Sequence, residues 1–166
     1  MFQSIKQDIK AVGVNSILVF MSNRGFHALF VYRLAHFLWR KKIPLIPLII
    51  TRIIQILYSI DIDYRARIGG GCCIVHGVGL VIGQGVIIGE NAKLYHGVTL
   101  GISHSNSKED GFPKVGDNVL IGAGAKVLGK LQIGSNVKIG ANSVVTCDIP
   151  NNCNAVGIPA KCMMKR

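Results

Sequence analysis

The sequence predicts a mainly β fold, a parallel β-helix of three-sided coils, preceded by a short α-helical N-terminal region. Val115, Ile121, Val127, Ile133, Ile139 and Val145 follow one another at intervals of six without a break. Four residues after each of the first five come Val119, Ala125, Leu131, Val137 and Ser143, all small or aliphatic. Glycine directly follows an aliphatic residue at Ile68, Ile82, Ile88, Leu100, Val115, Ile121, Ile133 and Ile139. A period of six is neither helical nor the alternation of a simple strand. It suits a short strand and a tight corner, with one aliphatic side chain inward per face and glycine or asparagine easing the bend. Three such faces make an eighteen-residue coil, and stacked coils bury a continuous aliphatic ladder.

The same phase runs upstream through Ile82, Ile88, Leu94 and Leu100, with Val86, Ala92 and Val98 at the matching offset, and before that through Ile62, Ile68 and Ile74. It breaks twice. Ile74 to Ile82 is eight residues, with His76 inside the irregularity, and Leu100 to Val115 is fifteen. The second break is polar and turn-rich, so residues 102–114 are expected as an extruded loop, and long loops on rigid scaffolds tend to carry function.

Residues 1–60 read as a helical region and 61–166 as the β-helix domain. Phe26, Leu29, Phe30, Arg33, Leu34, Phe37 and Leu38 recur at helical spacing between Asn23 and Trp39, and Arg40-Lys41-Lys42 stands where cations favour a helix C-terminus. Residues 43–60 are strongly apolar, but Pro44, Pro47, Arg52 and Gln55 interrupt them as a membrane span. A helix packed under the next domain and a peripheral membrane contact both remain open.

The chain has 166 residues and a formal net charge of +11. Residues 1–60 hold eight Lys or Arg against Asp8 alone, and 61–166 hold eleven against seven acids. No nucleic-acid motif accompanies the excess, and an anionic cofactor or membrane surface explains it as well. The five cysteines, Cys72, Cys73, Cys147, Cys153 and Cys162, lack metal-site spacing. With no signal-peptide pattern, reduced thiols in the cytoplasm are expected, and no bound metal.

Beyond the repeats, the chain carries Tyr32-Arg33-Leu34-Ala35-His36, Leu38-Trp39, Asp61-Ile62, an isolated His76, Gly97-Val98-Thr99-Leu100-Gly101, Pro113-Lys114, Ile121 to Lys126, Lys138-Ile139-Gly140-Ala141 and Gly157-Ile158-Pro159-Ala160. Together these resemble the hexapeptide-repeat acyltransferases, and most of all their serine acetyltransferase-like branch, across residues 28–160. The resemblance implies a left-handed β-helix, a homotrimer, and acetyl-CoA as the acetyl donor.

In that branch an Asp and a His fifteen residues apart act as a catalytic pair, and Asp61 and His76 match them. The chemistry needs such a pair. An alcohol is a poor nucleophile at neutral pH, so an imidazole removes its proton while a carboxylate fixes the tautomer and balances the imidazolium. The plainer alternative is that His76 fills a corner and Asp61 merely ends the helix. His96 is either a contact to acceptor or oxyanion or a partly exposed rung residue, His36 is structural, and His104 lies in the extruded loop. For coenzyme A the resemblance points to Ala123 and Ala141, stacked on successive coils with little bulk against a pantetheine arm, to Lys138 and Lys161, and to Gly101.

Serine acetyltransferases usually carry an Asp directly before the catalytic His and an Arg-His pair before the Pro-Lys. This chain has Val75 before His76, and Gly111-Phe112 before Pro113-Lys114. A zwitterion without charged partners in a desolvated pocket is unfavourable. The expectation is therefore a saccharide hydroxyl as acceptor, in surface-polysaccharide biosynthesis, with His96, Val75 and Phe112 lining the acceptor site. A cytoplasmic location is expected, with contact at the inner face of the membrane left open. The alternatives are serine O-acetylation and a non-catalytic trimeric scaffold.

Overall fold

The computed structural model describes residues 1–13, 16–103 and 111–164. Four helices come first: α1 (Phe2–Val12), α2 (Ser16–Ser22), α3 (Arg24–Arg40) and α4 (Ile46–Tyr58). Asn23 starts α3, its side chain accepting the Phe26 N–H at 2.9 Å. Phe26, Ala28, Leu29, Tyr32 and Ala35 face inward, whereas Leu34 and Phe37 of the same helical pattern are exposed. Close approach of α3 to the β-helix requires Gly25, since a Cβ there would collide with the Ile74 carbonyl.

Arg33 lies on the buried face because Asp8 of α1 meets it there. Arg33 Nε and Nη2 donate to Asp8 at 3.0 and 3.1 Å. The guanidinium also donates to the carbonyls of Ile68 and Gly69. Asp8 in turn accepts the Cys72 N–H at 3.0 Å. Burial raises the Asp8 carboxyl above its ordinary value, while Arg33 and the Cys72 N–H pull it back down. One ion pair thus ties α1, α3 and the first β-coil together. The periodicity that marks α3 cannot distinguish a buried, paired Arg from a solvated one.

From Asp61 onward the chain winds in coils of three short strands. The first coil is β1 (Asp61–Ile62), β2 (Arg67–Ile68) and β3 (Cys73–Val75); the second is β4 (Val81–Ile82), β5 (Ile87–Ile88) and β6 (Lys93–Tyr95). The third is β7 (Thr99–Gly101), β8 (Lys114–Val115) and β9 (Leu120–Ile121), and the fourth β10 (Lys126–Leu128), β11 (Gln132–Ile133) and β12 (Lys138–Ile139). A last partial coil runs through β13 (Val144–Val145), a bridge from Ile133 to Ile149, and β14 (Cys153–Gly157), onto which β15 (Ala160–Met164) folds antiparallel.

Equivalent strands stack into three parallel sheets: face A is β1-β4-β7-β10-β13, face B is β2-β5-β8-β11, and face C is β3-β6-β9-β12-β14. Register measures the coils directly. Val81 pairs with Thr99 and Lys126 with Val144, eighteen positions apart as the period requires. Asp61 pairs with Val81, two residues longer through the His76 irregularity, and Thr99 pairs with Lys126, nine residues longer. Of the expected loop 102–114, residues 104–110 lie outside the described residues and Lys114 already belongs to β8. Every aliphatic residue of the six-residue phase, from Ile62 to Val145, is buried, as is Ser143. At one corner Asn91, Asn118 and Asn136 adopt left-handed φ of 55–59° and pass hydrogen bonds from amide to amide along the stack.

The cysteines require a correction. Cys153 and Cys162 are joined as a disulfide, while Cys72, Cys73 and Cys147 are free. The β14–β15 hairpin brings the pair onto one side of the sheet, a proximity created by a turn that the hexapeptide phase does not include.

Candidate active site

The corner between faces C and A collects the predicted site residues at equivalent positions of successive coils. His76 follows β3, His96 follows β6, Ala123 follows β9 and Ala141 follows β12. The stacking is tight. The Gly124 N–H donates to the His96 carbonyl at 2.9 Å, and the Asn142 N–H to the Ala123 carbonyl at 2.8 Å.

His76 has φ 64°, a left-handed conformation uncommon outside glycine, and its side chain is exposed at the edge. The His76 and His96 rings lie edge to face, 6.0 Å between centroids. Residues 59–61 run beside this corner: the Gly79 N–H donates to the Ser59 carbonyl at 2.7 Å, and a Cβ on Gly77 would stand 2.6 Å from the Ile60 side chain. Asp61 therefore opens the strand next to the His76 corner, but no hydrogen bond or ion pair joins its carboxylate to His76 within the protomer. Asp61 borders a recess with Leu48, Thr51, Arg52 and Gln55. Its carboxylate accepts from Gln55 Nε2 of α4 at 2.9 Å, and Gln55 in turn accepts from Arg52. Gln55 was not among the expected site residues; the only signal was a polar residue interrupting an apolar run.

Further along the same edge opens a groove of about 540 Å³, bordered by Tyr95, Ala123, Lys138, Ala141, Asn154 and Met163. Its mostly apolar floor, small residues at the edge and a lysine at the side match what a pantetheine arm needs. Three of the five residues expected to hold coenzyme A, Ala123, Ala141 and Lys138, line it. Lys161 is exposed on β15, the outer strand of the hairpin that supplies Asn154 and Met163. Tyr95, Asn154 and Met163 went unrecognised because they fall outside the aliphatic phase.

Two expected residues lie elsewhere in the protomer. Gly101 ends β7 on the far side of face A, where its carbonyl accepts the Gly129 N–H at 2.9 Å. Phe112 packs over the corner between faces A and B: a Cβ on Gly83 would lie 2.8 Å from its ring. Val75 adjoins His76 and is half-buried. His36 is held through Nδ1 against the Tyr64 carbonyl at 2.8 Å, in keeping with a structural role. His104 lies outside the described residues. Among the described residues no cluster of three or more His, Cys, Asp or Glu is arranged to hold a metal ion.

The bacterial transferase hexapeptide (six repeats) family model matches residues 112–147. The serine acetyltransferase of Synechococcus elongatus is 40% identical over 97% of this chain and 68% of its own length. That of Helicobacter pylori is 44% identical over 85% of this chain and 82% of its own. Among solved structures, Neisseria gonorrhoeae serine acetyltransferase superposes with a TM-score of 0.91 at 35% identity, over 98% of this chain and 64% of that one. The Brucella abortus enzyme in complex with coenzyme A gives 0.92 at 34% identity, over 98% and 67%. The soybean enzyme complexed with serine gives 0.91 at 37%, over 97% and 68%. This chain thus spans about two thirds of the length of several of these relatives, and slightly less of the Neisseria enzyme.

The fold is accordingly the left-handed parallel β-helix expected, and an acetyl-CoA-dependent acyltransferase is the class to which these relatives belong. The saccharide acceptor is overturned, because the relatives that match along nearly the whole chain are serine acetyltransferases. That expectation rested on charged side chains missing at Val75, Gly111 and Phe112, and within a protomer Phe112 sits on a different corner from His76. The repeats, the His76 corner, the groove below it and the relatives agree, and the chain belongs to the hexapeptide-repeat serine acetyltransferase family.

Proposed function

We propose that this chain transfers the acetyl group of acetyl-CoA to the hydroxyl of L-serine, with His76 as general base. The observation that carries the proposal is the shared edge: His76 and His96 stand at one end of the groove bordered by Ala123, Lys138 and Ala141. A thioester whose pantetheine arm lies in that groove presents its carbonyl toward the two imidazoles. His76 takes the hydroxyl proton as the serine oxygen attacks, the tetrahedral adduct collapses, and the departing thiolate receives that proton from the imidazolium. The products are O-acetylserine and free coenzyme A. Asp61, oriented by Gln55, supplies negative charge beside the corner where the imidazolium forms.

Val75 leaves the ammonium of serine without a carboxylate directly before His76, so its partner comes from another position. A homotrimer is part of the proposal, since in one protomer the His76 corner is open and Phe112 faces elsewhere; light scattering on the purified protein checks the subunit number. The acceptor is tested by following thiol release from acetyl-CoA with and without L-serine. Serine-dependent release above background hydrolysis is expected. Intact coenzyme A binding with no serine-dependent release would overturn the acceptor.

A further inference from the structure

Helix α4 turns its apolar side outward. Ile46, Ile49, Ile53 and Ile56 recur at spacings of three and four, and Ile56 is 81% exposed. Leu45, Leu48 and Leu57 widen the stripe, and all three are exposed. The opposite face, with Pro47, Ile54 and Tyr58, packs toward α3 and the first strand. An apolar patch of this size and continuity marks a contact surface.

The charge around it selects the occupant. From Ile9 to Ile60 the chain contains seven Lys or Arg and no Asp or Glu, and of the seven only Arg33 is paired with Asp8. Arg40, Lys41 and Lys42 sit at the junction leading into α4, with Trp39 41% exposed beside them, and Arg52 lies at the edge of the stripe. A second copy meeting this face with its own would set Arg40, Lys41 and Lys42 against further cations, since the carboxylates that border α4, Asp61 and Asp63, already lie beside Arg52. A lipid surface with anionic headgroups supplies both the apolar phase and the negative charge. No helix among the described residues is long and apolar enough to cross a membrane, so the contact is one of lying on the surface.

We infer that the outward face of α4, flanked by Arg40, Lys41, Lys42 and Arg52, docks the protein on an anionic membrane surface. The test is co-sedimentation of the full chain with vesicles of phosphatidylcholine alone or mixed with phosphatidylglycerol. Binding is expected only with the anionic lipid and is reversed by high salt. The triple variant Ile53→Ser, Ile56→Ser, Leu57→Ser is expected to lose binding. Arg40→Gln, Lys41→Gln and Lys42→Gln together leave the stripe intact and are expected to weaken binding about a hundredfold, at roughly fivefold per cation. Circular dichroism and light scattering accompany each variant. Wild-type protein that ignores anionic vesicles overturns the inference, and so does a serine variant that is folded yet still binds. Loss of the native subunit number in the serine variant, without vesicle binding by the wild type, assigns the face to contact between copies and also overturns it.

Discussion

Gln55 reaches from the last turns of α4 to the first strand, where its Nε2–H donates to Asp61 Oδ2 at 2.9 Å while its own oxygen accepts from Arg52. The carboxylate is thereby fixed by a helix outside the β-helix. This bond makes Gln55 a positioning residue for Asp61. Gln55→Leu is expected to lower kcat about tenfold, the scale of one lost hydrogen bond to a charged group, with KM for acetyl-CoA little changed. Steady-state kinetics separate the two parameters. Loss of acetyl-CoA binding with unchanged kcat would show that Gln55 does not act through Asp61.

His76→Ala is expected to lower turnover about a hundredfold or more, because it removes the imidazole proposed to take the hydroxyl proton, and the Asp61 carboxylate beside the corner is held by Gln55. His96→Ala separates the two imidazoles. If His76 is the base, the His76 variant is the slower of the pair at saturating substrates, and near-normal turnover without it would exclude the mechanism.

The Asp8–Arg33 pair governs stability rather than chemistry. Asp8→Ala leaves the Arg33 guanidinium buried without its anion and is expected to cost about 3–5 kcal/mol. Replacing both, Asp8→Leu with Arg33→Met, removes the stranded charge and is expected to cost less than Asp8→Leu or Arg33→Met alone. Denaturant melts of the four proteins check the ordering. A double variant with the summed loss of the singles would mean that the two residues are not coupled.

The β-helix was legible because its rule is local and repeated: an inward aliphatic every six residues fixes each corner, and the register of Val81 with Thr99 follows from counting. The edge carrying His76, His96, Ala123 and Ala141 was half legible, since stacking converts sequence offsets into neighbours. What the phase could not reach were contacts made by residues outside it. Gln55 comes from a helix, Met163 and the Cys153–Cys162 bond come from a hairpin, and Asp8 meets Arg33 from a helix that the pattern did not reveal. The acceptor was misjudged because it was inferred from charged groups missing at Val75, Gly111 and Phe112, whereas the relatives matching along nearly the whole chain are serine acetyltransferases.

His36 gives the helical region a pH dependence. Burial holds its imidazole below the ordinary value of 6.5, the nearby guanidinium groups of Arg40, Arg33 and Arg67 lower it further, and the Tyr64 carbonyl opposes them. A depressed value means that the unfolded chain takes up the proton more readily. The stability associated with neutral His36 is fully present above pH 6.5 and is lost as pH falls through the lower folded value. Relative to wild type, His36→Gln is expected to flatten the fall in melting temperature between neutral and mildly acidic pH. Parallel profiles for the two proteins would show that His36 does not titrate against folding.

The groove makes a prediction in which binding and stability move independently. Ala141 is exposed at the edge and Ala123 half-exposed, so neither side chain holds the core together. Ala141→Trp adds bulk where the pantetheine arm is proposed to lie, and nothing in the aliphatic ladder needs to shift to accept it. KM for acetyl-CoA is expected to rise at least about tenfold with the melting temperature unchanged, because the ring competes for the groove and not for the core. Lys161→Gln, on the outer strand of the hairpin, removes only charge and is expected to raise KM by a few fold, an effect that shrinks in high salt. KM for L-serine serves as the control in both. If Ala141→Trp leaves acetyl-CoA kinetics untouched and instead impairs serine, the donor does not lie along this edge, and the groove beside Lys138 belongs to the acceptor.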